Sequence, residues 1–325
     1  MKVLIVGTGV IGTIYGWALS NAGHKVVHYV RSGRSKNFKN GIEIDMLDNR
    51  RRHKKRIKDI YSPGMTESAT TDGEPYGLVI VPTKPYQVIS ALNNLVPTTG
   101  NADYLLLTQN WDGTSEIDRI IDRNKYIYGD AKAGGAFKGN RLIAVIYNSI
   151  DIGQTQGLDN DCLKSMTGLF KSIGLKPIIH KNILEYIRVQ YAVNAGLWPP
   201  VVRSGGIENL LKDKKNGTLT LLAVKECLMV IDKMGVDLKL YPETSVYLND
   251  SKIGRSIALL MLKFLFKYNE SVIRSSLHAL GDPREIKESY DNLRSSGKRL
   301  GVDMPVMDNF DEEMEKFAVS LQDKQ

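Results

Sequence analysis

Gly7, Gly9 and Gly12 follow the apolar run Lys2-Val3-Leu4-Ile5-Val6 and precede a helical stretch, Thr13 to Ala22, that Gly23 closes. Glycines at this spacing suit phosphate binding. Gly7 permits a tight turn out of the strand, Gly9 leaves room for a pyrophosphate against the backbone, and Gly12 lets helix and strand pack closely. The helix N-terminus offers free N–H groups and the positive end of its dipole to the phosphates. Strand, turn and helix in this order make Gly7-Thr8-Gly9-Val10-Ile11-Gly12 a dinucleotide-binding motif. Gly16 would extend the close packing.

A second strand, Lys25 to Val30, ends without the acidic residue that holds an NAD ribose, and Arg31-Ser32-Gly33-Arg34 stands there instead. A guanidinium beside the ribose suits a 2′-phosphate, so the expected cofactor is NADP. Buried-type strands at Tyr76–Val81 and Tyr104–Leu107 run into Pro82-Thr83-Lys84-Pro85-Tyr86-Gln87 and Thr108-Gln109-Asn110-Trp111-Asp112-Gly113. Ligands of open α/β sheets bind beyond the strands' C-terminal ends, which makes Lys84 and Asn110 site candidates.

The elements that must hold these residues alternate between strand and helix, which argues a doubly wound, mostly parallel sheet of the Rossmann type. Gly41–Met46 reads as an edge strand or hairpin; Tyr126–Tyr128 and Leu142–Tyr147 are further strands. After about residue 160 helical periodicity takes over. Helices are expected at about 183–197, 207–213, 217–234, 253–272 and 284–300. We place an NADP-binding domain at 1–180 and a helical substrate and dimerisation domain at 181–325.

The 325 residues suffice for two cores, and 42% hydrophobic with 25% charged residues is an ordinary globular composition. Net charge is +8, much of it in Arg50-Arg51-Arg52-His53-Lys54-Lys55-Arg56. No aromatic residues interleave with this run and no nucleic-acid motif accompanies it, so it is read as a solvated hairpin or loop. The apolar stretch Ile257–Phe266 is too short to span a bilayer. Met1 leads straight into a strand and the two cysteines make no framework, so a cytoplasmic protein with packed thiols is expected. The scattered histidines give no metal site.

The glycine motif, Arg31, Thr83-Lys84-Pro85-Tyr86-Gln87 and Gln109-Asn110-Trp111-Asp112-Gly113 resemble the landmarks of the ketopantoate reductase (2-dehydropantoate 2-reductase) family. The resemblance implies a Rossmann domain joined to an all-helical domain, and NADPH as cofactor. It implies phosphate contacts from Gly7 to Gly12, a 2′-phosphate contact at Arg31, and Lys84 and Asn110 beside the nicotinamide, with Asn110 also facing the substrate.

It extends into the second half at Ile183 to Pro199. Gln190 and Asn194 are four apart and share a helix face. The family has a lysine at the position of Gln190, which protonates the ketone oxygen as hydride arrives; Asn194 matches a substrate-binding asparagine. Trp198 replaces a second asparagine. Glu285 matches the glutamate that holds the substrate hydroxyl, and Ser276 a serine that binds its carboxylate; as a plain alternative, Glu285 is a first-turn helix glutamate favoured by the dipole. Lys287 and Asp291 replace an aspartate and a glycine. A glutamine has no proton to release near neutral pH, which turns attention to Lys84 as the proton source. The expected activity is NADPH-dependent reduction of a 2-oxo acid, 2-dehydropantoate or a related compound, by a homodimer. Two other readings stay open: a non-catalytic NADP-binding protein, and a dehydrogenase of altered substrate class on the same scaffold.

Overall fold

The computed structural model describes residues 1–70, 73–155, 161–278 and 281–319. The chain divides into two compact units, Met1–Leu184 with Arg274–Leu277, and Glu185–Ile273 with His278–Gln325. The first is α/β and the second helical, the Rossmann-type arrangement that the sequence implies.

The first unit holds β1 (Lys2–Val6), α1 (Val10–Asn21), β2 (Lys25–Tyr29), β3 (Ile42–Asp48), β4 (Lys55–Tyr61), β5 (Gly64–Thr66), β6 (Leu78–Val81), α2 (Pro85–Leu95), β7 (Asp103–Leu106), β8 (Tyr126–Asp130), β9 (Ala133–Lys138), β10 (Arg141–Ile146), β11 (Ser149–Gly153), α3 (Asp161–Ser172) and β12 (Lys176–His180). Eight strands form the main sheet in the order β12-β11-β8-β7-β6-β1-β2-β5. From β8 to β5 every pairing is parallel, while β11 meets β8 antiparallel. β1 lies between β2 and β6, so the strand order reverses there and opens a crevice at the C-terminal ends of β1 and β6.

The sequence suggests one open sheet; the structure has two. Leu142–Tyr147, expected among the main strands, supplies β10 of a separate sheet ordered β4-β3-β10-β9, in which the expected Gly41–Met46 edge or hairpin is β3. Apolar alternation alone cannot assign a strand to a sheet. The need for a second sheet lies in α1, where every residue from Gly12 to Leu19 is buried. A helix buried all round needs cover on its outer side, and β9 and β10 pack there. Trp17 Nε1 donates to Asp59 of β4 at 2.8 Å.

The basic run occupies the β3–β4 turn and the start of β4, as a hairpin reading suggests, but two of its cations are structural. Arg50 forks onto both carboxylate oxygens of Asp48 at 2.9 and 2.7 Å, donates to the Ile173 carbonyl at 2.7 Å and lies over the Trp17 ring. Arg56 pairs with Asp45. Arg274, which the chain returns to this unit after an excursion through the second, also reaches Asp45. Its buried Nη1 donates to the Asp45 carbonyl at 2.7 Å and to the Asp45 carboxylate at 3.0 Å.

The helices that follow are α4 (Ile183–Arg203), α5 (Ile207–Lys212), α6 (Lys214–Lys233), α7 (Ser245–Leu248), α8 (Lys252–Tyr268), α9 (Glu270–Ser275), α10 (Pro283–Leu300), α11 (Pro305–Asp308) and α12 (Asp311–Val319). Two boundaries differ from expectation. α4 does not stop at 197 but runs on through Pro199 and Pro200 to Arg203. Each proline removes a ladder hydrogen bond, yet both are buried, and Gly196 beside them sits so close to α6 that a Cβ would stand 2.5 Å from Val224 Cα. Packing outweighs the lost bonds. The helix expected at 253–272 is two, because the Asn269 side chain accepts from Ser271 N–H at 3.1 Å and starts α9 afresh. Lys287 and Asp291 explain each other: Lys287 Nζ lies 2.7 and 2.6 Å from the two Asp291 carboxylate oxygens, one helical turn on. Cys162 and Cys227 are buried free thiols, one in each unit.

Candidate active site

The glycine motif forms the turn from β1 into α1. Gly7 takes φ +78°, the left-handed region open to glycine, and its N–H donates to the Tyr29 carbonyl at 2.7 Å. Gly9 is the N-cap of α1, with no side-chain cap among the described residues. A Cβ at Gly9 would meet nothing within 4 Å, whereas one at Gly12 would stand 3.1 Å from Ile5 and 3.3 Å from Pro82. Each glycine thus does what its spacing suggests: turn, open approach, close packing. The first-turn amides of Val10, Ile11 and Gly12 have no partner within the helix and suit an anion.

Around this turn the sheet gathers other candidates. Arg31 is exposed just past β2, which pairs with β1. Lys84 is the N-cap of α2, past β6 on the other side of β1. Its backbone makes the helix start: Lys84 N–H donates to Gln87 Oε1 at 3.4 Å, and the Lys84 carbonyl accepts from Gln87 N–H at 2.9 Å. The neighbouring Thr83 hydroxyl is buried with no partner among the described residues, an orphan group that a ligand or water at the crevice would satisfy.

Asn110, past β7, has its side chain engaged in its own loop. Oδ1 accepts from Gly113 N–H at 2.7 Å, and Nδ2 donates to the Gly113 carbonyl at 2.8 Å and to the Tyr128 hydroxyl at 2.6 Å. The second lone pair of Oδ1 is what remains for a ligand. Ser276 belongs to the returning segment Arg274–Leu277 of the first unit, where its neighbour Ser275 lies 3.4 Å from the Tyr147 hydroxyl.

In the second unit Gln190 and Asn194 lie on α4, both partly exposed, and Trp198 follows on the same helix. Gln190 Nε2 donates to Glu243 Oε1 at 3.2 Å, a partner no sequence pattern indicates. Glu285 sits in the first turn of α10, where its N–H donates to the N-cap Asp282 at 3.1 Å. Lys84, Asn110, Arg31, Ser276 and the glycine turn therefore belong to one unit; Gln190, Asn194 and Glu285 belong to the other.

Two residues escape the sequence reading. Glu67, just past β5, accepts from the Ser35 hydroxyl at 2.5 Å and from Ser35 N–H at 3.2 Å, and so organises the loop carrying Arg31. These donors, Ser35 hydroxyl first, hold its carboxyl below the usual range. An acid is thus present near the β2 end, but it comes from the adjacent strand and its Oε1 is bonded to the loop. The second is His28, fully buried on β2. Its Nδ1 lies 2.6 Å from the Gly7 carbonyl and its Nε2 2.9 Å from the Tyr61 hydroxyl. A carbonyl only accepts, so Nδ1 carries the proton and Nε2 accepts from Tyr61.

Burial drives the His28 pKa from 6.5 to about 4. Above pH 6.5 the ring is neutral folded or unfolded and the shift has no effect; below it the unfolded chain takes up a proton that the folded one refuses. Folding is therefore expected to lose about 3 kcal/mol on this account between pH 6.5 and 4. Denaturant unfolding at pH 7 and pH 4.5, compared between wild type and His28→Asn, checks it: equal acid losses in both would remove His28 as a source.

A Rossmann-type domain with a glycine-rich turn at its switch point, followed by a helical region, defines a nucleotide-binding fold class. Residues 3–154 match the family model described as Ketopantoate reductase PanE/ApbA. The chain is 25% identical over 211 residues to a 2-dehydropantoate 2-reductase of Aquifex aeolicus (strain VF5), a match that covers 61% of this chain and 62% of that protein's length. Among solved structures, a D-mandelate dehydrogenase with NADH and anilino(oxo)acetate superposes with a TM-score of 0.74 at 16% identity, covering 99% of both chains. A 2-dehydropantoate 2-reductase from Geobacter metallireducens GS-15 superposes at 0.71 and 15% identity, covering 97% of this chain and 99% of that one. A dimeric ketopantoate reductase from Staphylococcus aureus does so at 0.67 and 13%, covering 98% and 99%. Among the described residues no helix is long and apolar enough to cross a membrane, and no cluster of metal-ligating side chains is present.

Proposed function

We propose that the protein reduces a 2-oxo acid, 2-dehydropantoate or a compound of that class, to the 2-hydroxy acid with NADPH. The uncapped glycine turn at the β1–β6 switch point, with Lys84 on the adjoining strand end, carries this reading. NADPH supplies the hydride. The amides of Thr8 to Gly12 hold its pyrophosphate, Arg31 its 2′-phosphate, and the Thr83–Asn110 side of the crevice its nicotinamide end. Lys84 is the proton source for the developing alkoxide. Gln190 and Asn194 offer amide donors to the substrate, Glu285 accepts from its hydroxyl and Ser276 binds its carboxylate. Orientation of this kind supplies several kcal/mol of barrier lowering even where one acid is lost.

NADPH oxidation with ketopantoate and a panel of 2-oxo acids, with NADH as control, tests this. Turnover with NADPH well above NADH is expected, and Arg31→Ala should erase most of that preference with little effect on the NADH rate. Tight NADPH binding without turnover on any 2-oxo acid would instead favour a non-catalytic nucleotide-binding protein, a reading that Gln190 and its Glu243 partner, in place of a lysine, keep in view.

A further inference from the structure

His28 lies outside every motif, and the reaction does not call on it. Yet α1, β4 and the turn at Gly7 converge on it. Gly16 of α1 lacks the Cβ that would stand 2.7 Å from His28 Nε2 and closer still to the Tyr61 hydroxyl. Tyr61 reaches in from β4 of the second sheet, with its ring edge-on to the imidazole. The proton order is fixed at one end, because the Gly7 carbonyl can only accept: Tyr61 donates to Nε2, and Nδ1 to Gly7.

The last bond sets the orientation of a peptide group. A trans peptide is planar and its C=O and N–H point in opposite directions. No peptide among the described residues is cis. With the Gly7 carbonyl turned inward onto the buried His28, the Thr8 N–H of the same planar peptide points the opposite way. Thr8 is the first amide of the turn that the proposed function assigns to the pyrophosphate. Gly7, at φ +78° and without a side chain, has the conformational freedom to lose this orientation.

We propose that His28 is a positioning residue for the dinucleotide pyrophosphate, holding the Gly7–Thr8 peptide with its N–H toward the phosphates through the relay Tyr61–His28. The inference rests on the nucleotide reading of the glycine turn. It gives the second sheet a part in cofactor binding, because β4 carries the hydroxyl that donates to Nε2 and holds the imidazole against Gly7.

His28→Leu, His28→Asn and Tyr61→Phe test it. The asparagine amide nitrogen takes the place of Nδ1 as donor to Gly7, whereas leucine fills the space without donating. Affinities for NADPH and for adenosine 2′-monophosphate, which has no pyrophosphate, would be measured by titration on each folded full-length protein. His28→Leu is expected to bind NADPH ~10-fold more weakly or worse, the effect of one lost hydrogen bond at an oriented group. Binding of adenosine 2′-monophosphate should not change, and His28→Asn should restore NADPH binding. Equal NADPH affinity in His28→Leu and wild type would overturn the proposal, as would parallel losses for both ligands, which would mark general loosening. If His28→Leu does not fold, Tyr61→Phe carries the test: weaker NADPH with unchanged adenosine 2′-monophosphate supports the relay, and unchanged NADPH overturns it. A wild type that binds no NADPH would instead fail the functional reading.

Discussion

Lys84→Ala is expected to lower turnover ~10²- to 10⁴-fold, the usual contribution of a positioned proton donor. Its affinity for NADPH should stay within a few-fold of wild type. The reasoning is by chemistry and by place. The resemblance implies a lysine where this chain has Gln190, whose amide releases no proton near neutral pH and already donates to Glu243. Arg188, nearby on α4, hardly ever deprotonates. Lys84 can release a proton, and it stands past β6, one strand from the glycine turn. Alanine retains the backbone N–H and carbonyl with which Lys84 starts α2. Single-turnover rates with saturating NADPH would decide it. A rate equal to wild type would remove Lys84 from the chemistry and move attention to Glu243.

The second large effect concerns stability. Arg274→Met should destabilise the protein by about 3–5 kcal/mol, the usual result of taking one partner from a buried ion pair. Only 7% of the Arg274 side chain is exposed, and its Nη1 is shared among the Asp45 carbonyl, the Asp45 carboxylate and, at 3.4 Å, the Ala144 carbonyl. Methionine fills much of the volume and meets none of these acceptors. Arg56 would still pair with Asp45, but from the exposed side, where such pairs contribute little. Denaturant unfolding of wild type and variant measures the difference; a loss under about 1 kcal/mol would show that methionine packing replaces the ion pair.

What the sequence could say followed from local rules. The turn from β1 into α1 was legible because each glycine answers a separate steric demand, and the strand ends at Lys84 and Asn110 because buried-type strands are short and apolar. The second sheet was not, since β3 and β10 pair across nearly a hundred residues and their side-chain alternation is the same in either sheet. Asn110's commitment to Gly113 and Tyr128, the loop-holding role of Glu67, and the burial of His28 under Gly16 all depend on which strand lies beside which. The continuation of α4 through Pro199 and Pro200 is likewise a tertiary outcome that local propensity argues against.

The return of Arg274–Leu277 to the first unit also bears on modularity. The chain crosses between the units after Leu184, before Arg274 and after Leu277. Ser275 lies so close to Gly134 of β9 that a Cβ on that glycine would stand 2.8 Å from the Ser275 carbonyl oxygen, a seat shaped for this segment. The first unit is therefore not a cassette bounded by one cut. A fragment ending at Leu184 would leave that seat empty and Asp45 without Arg274. A chimera that takes its helical unit from a relative would have to keep residues 274–277 matched to Gly134 and Asp45.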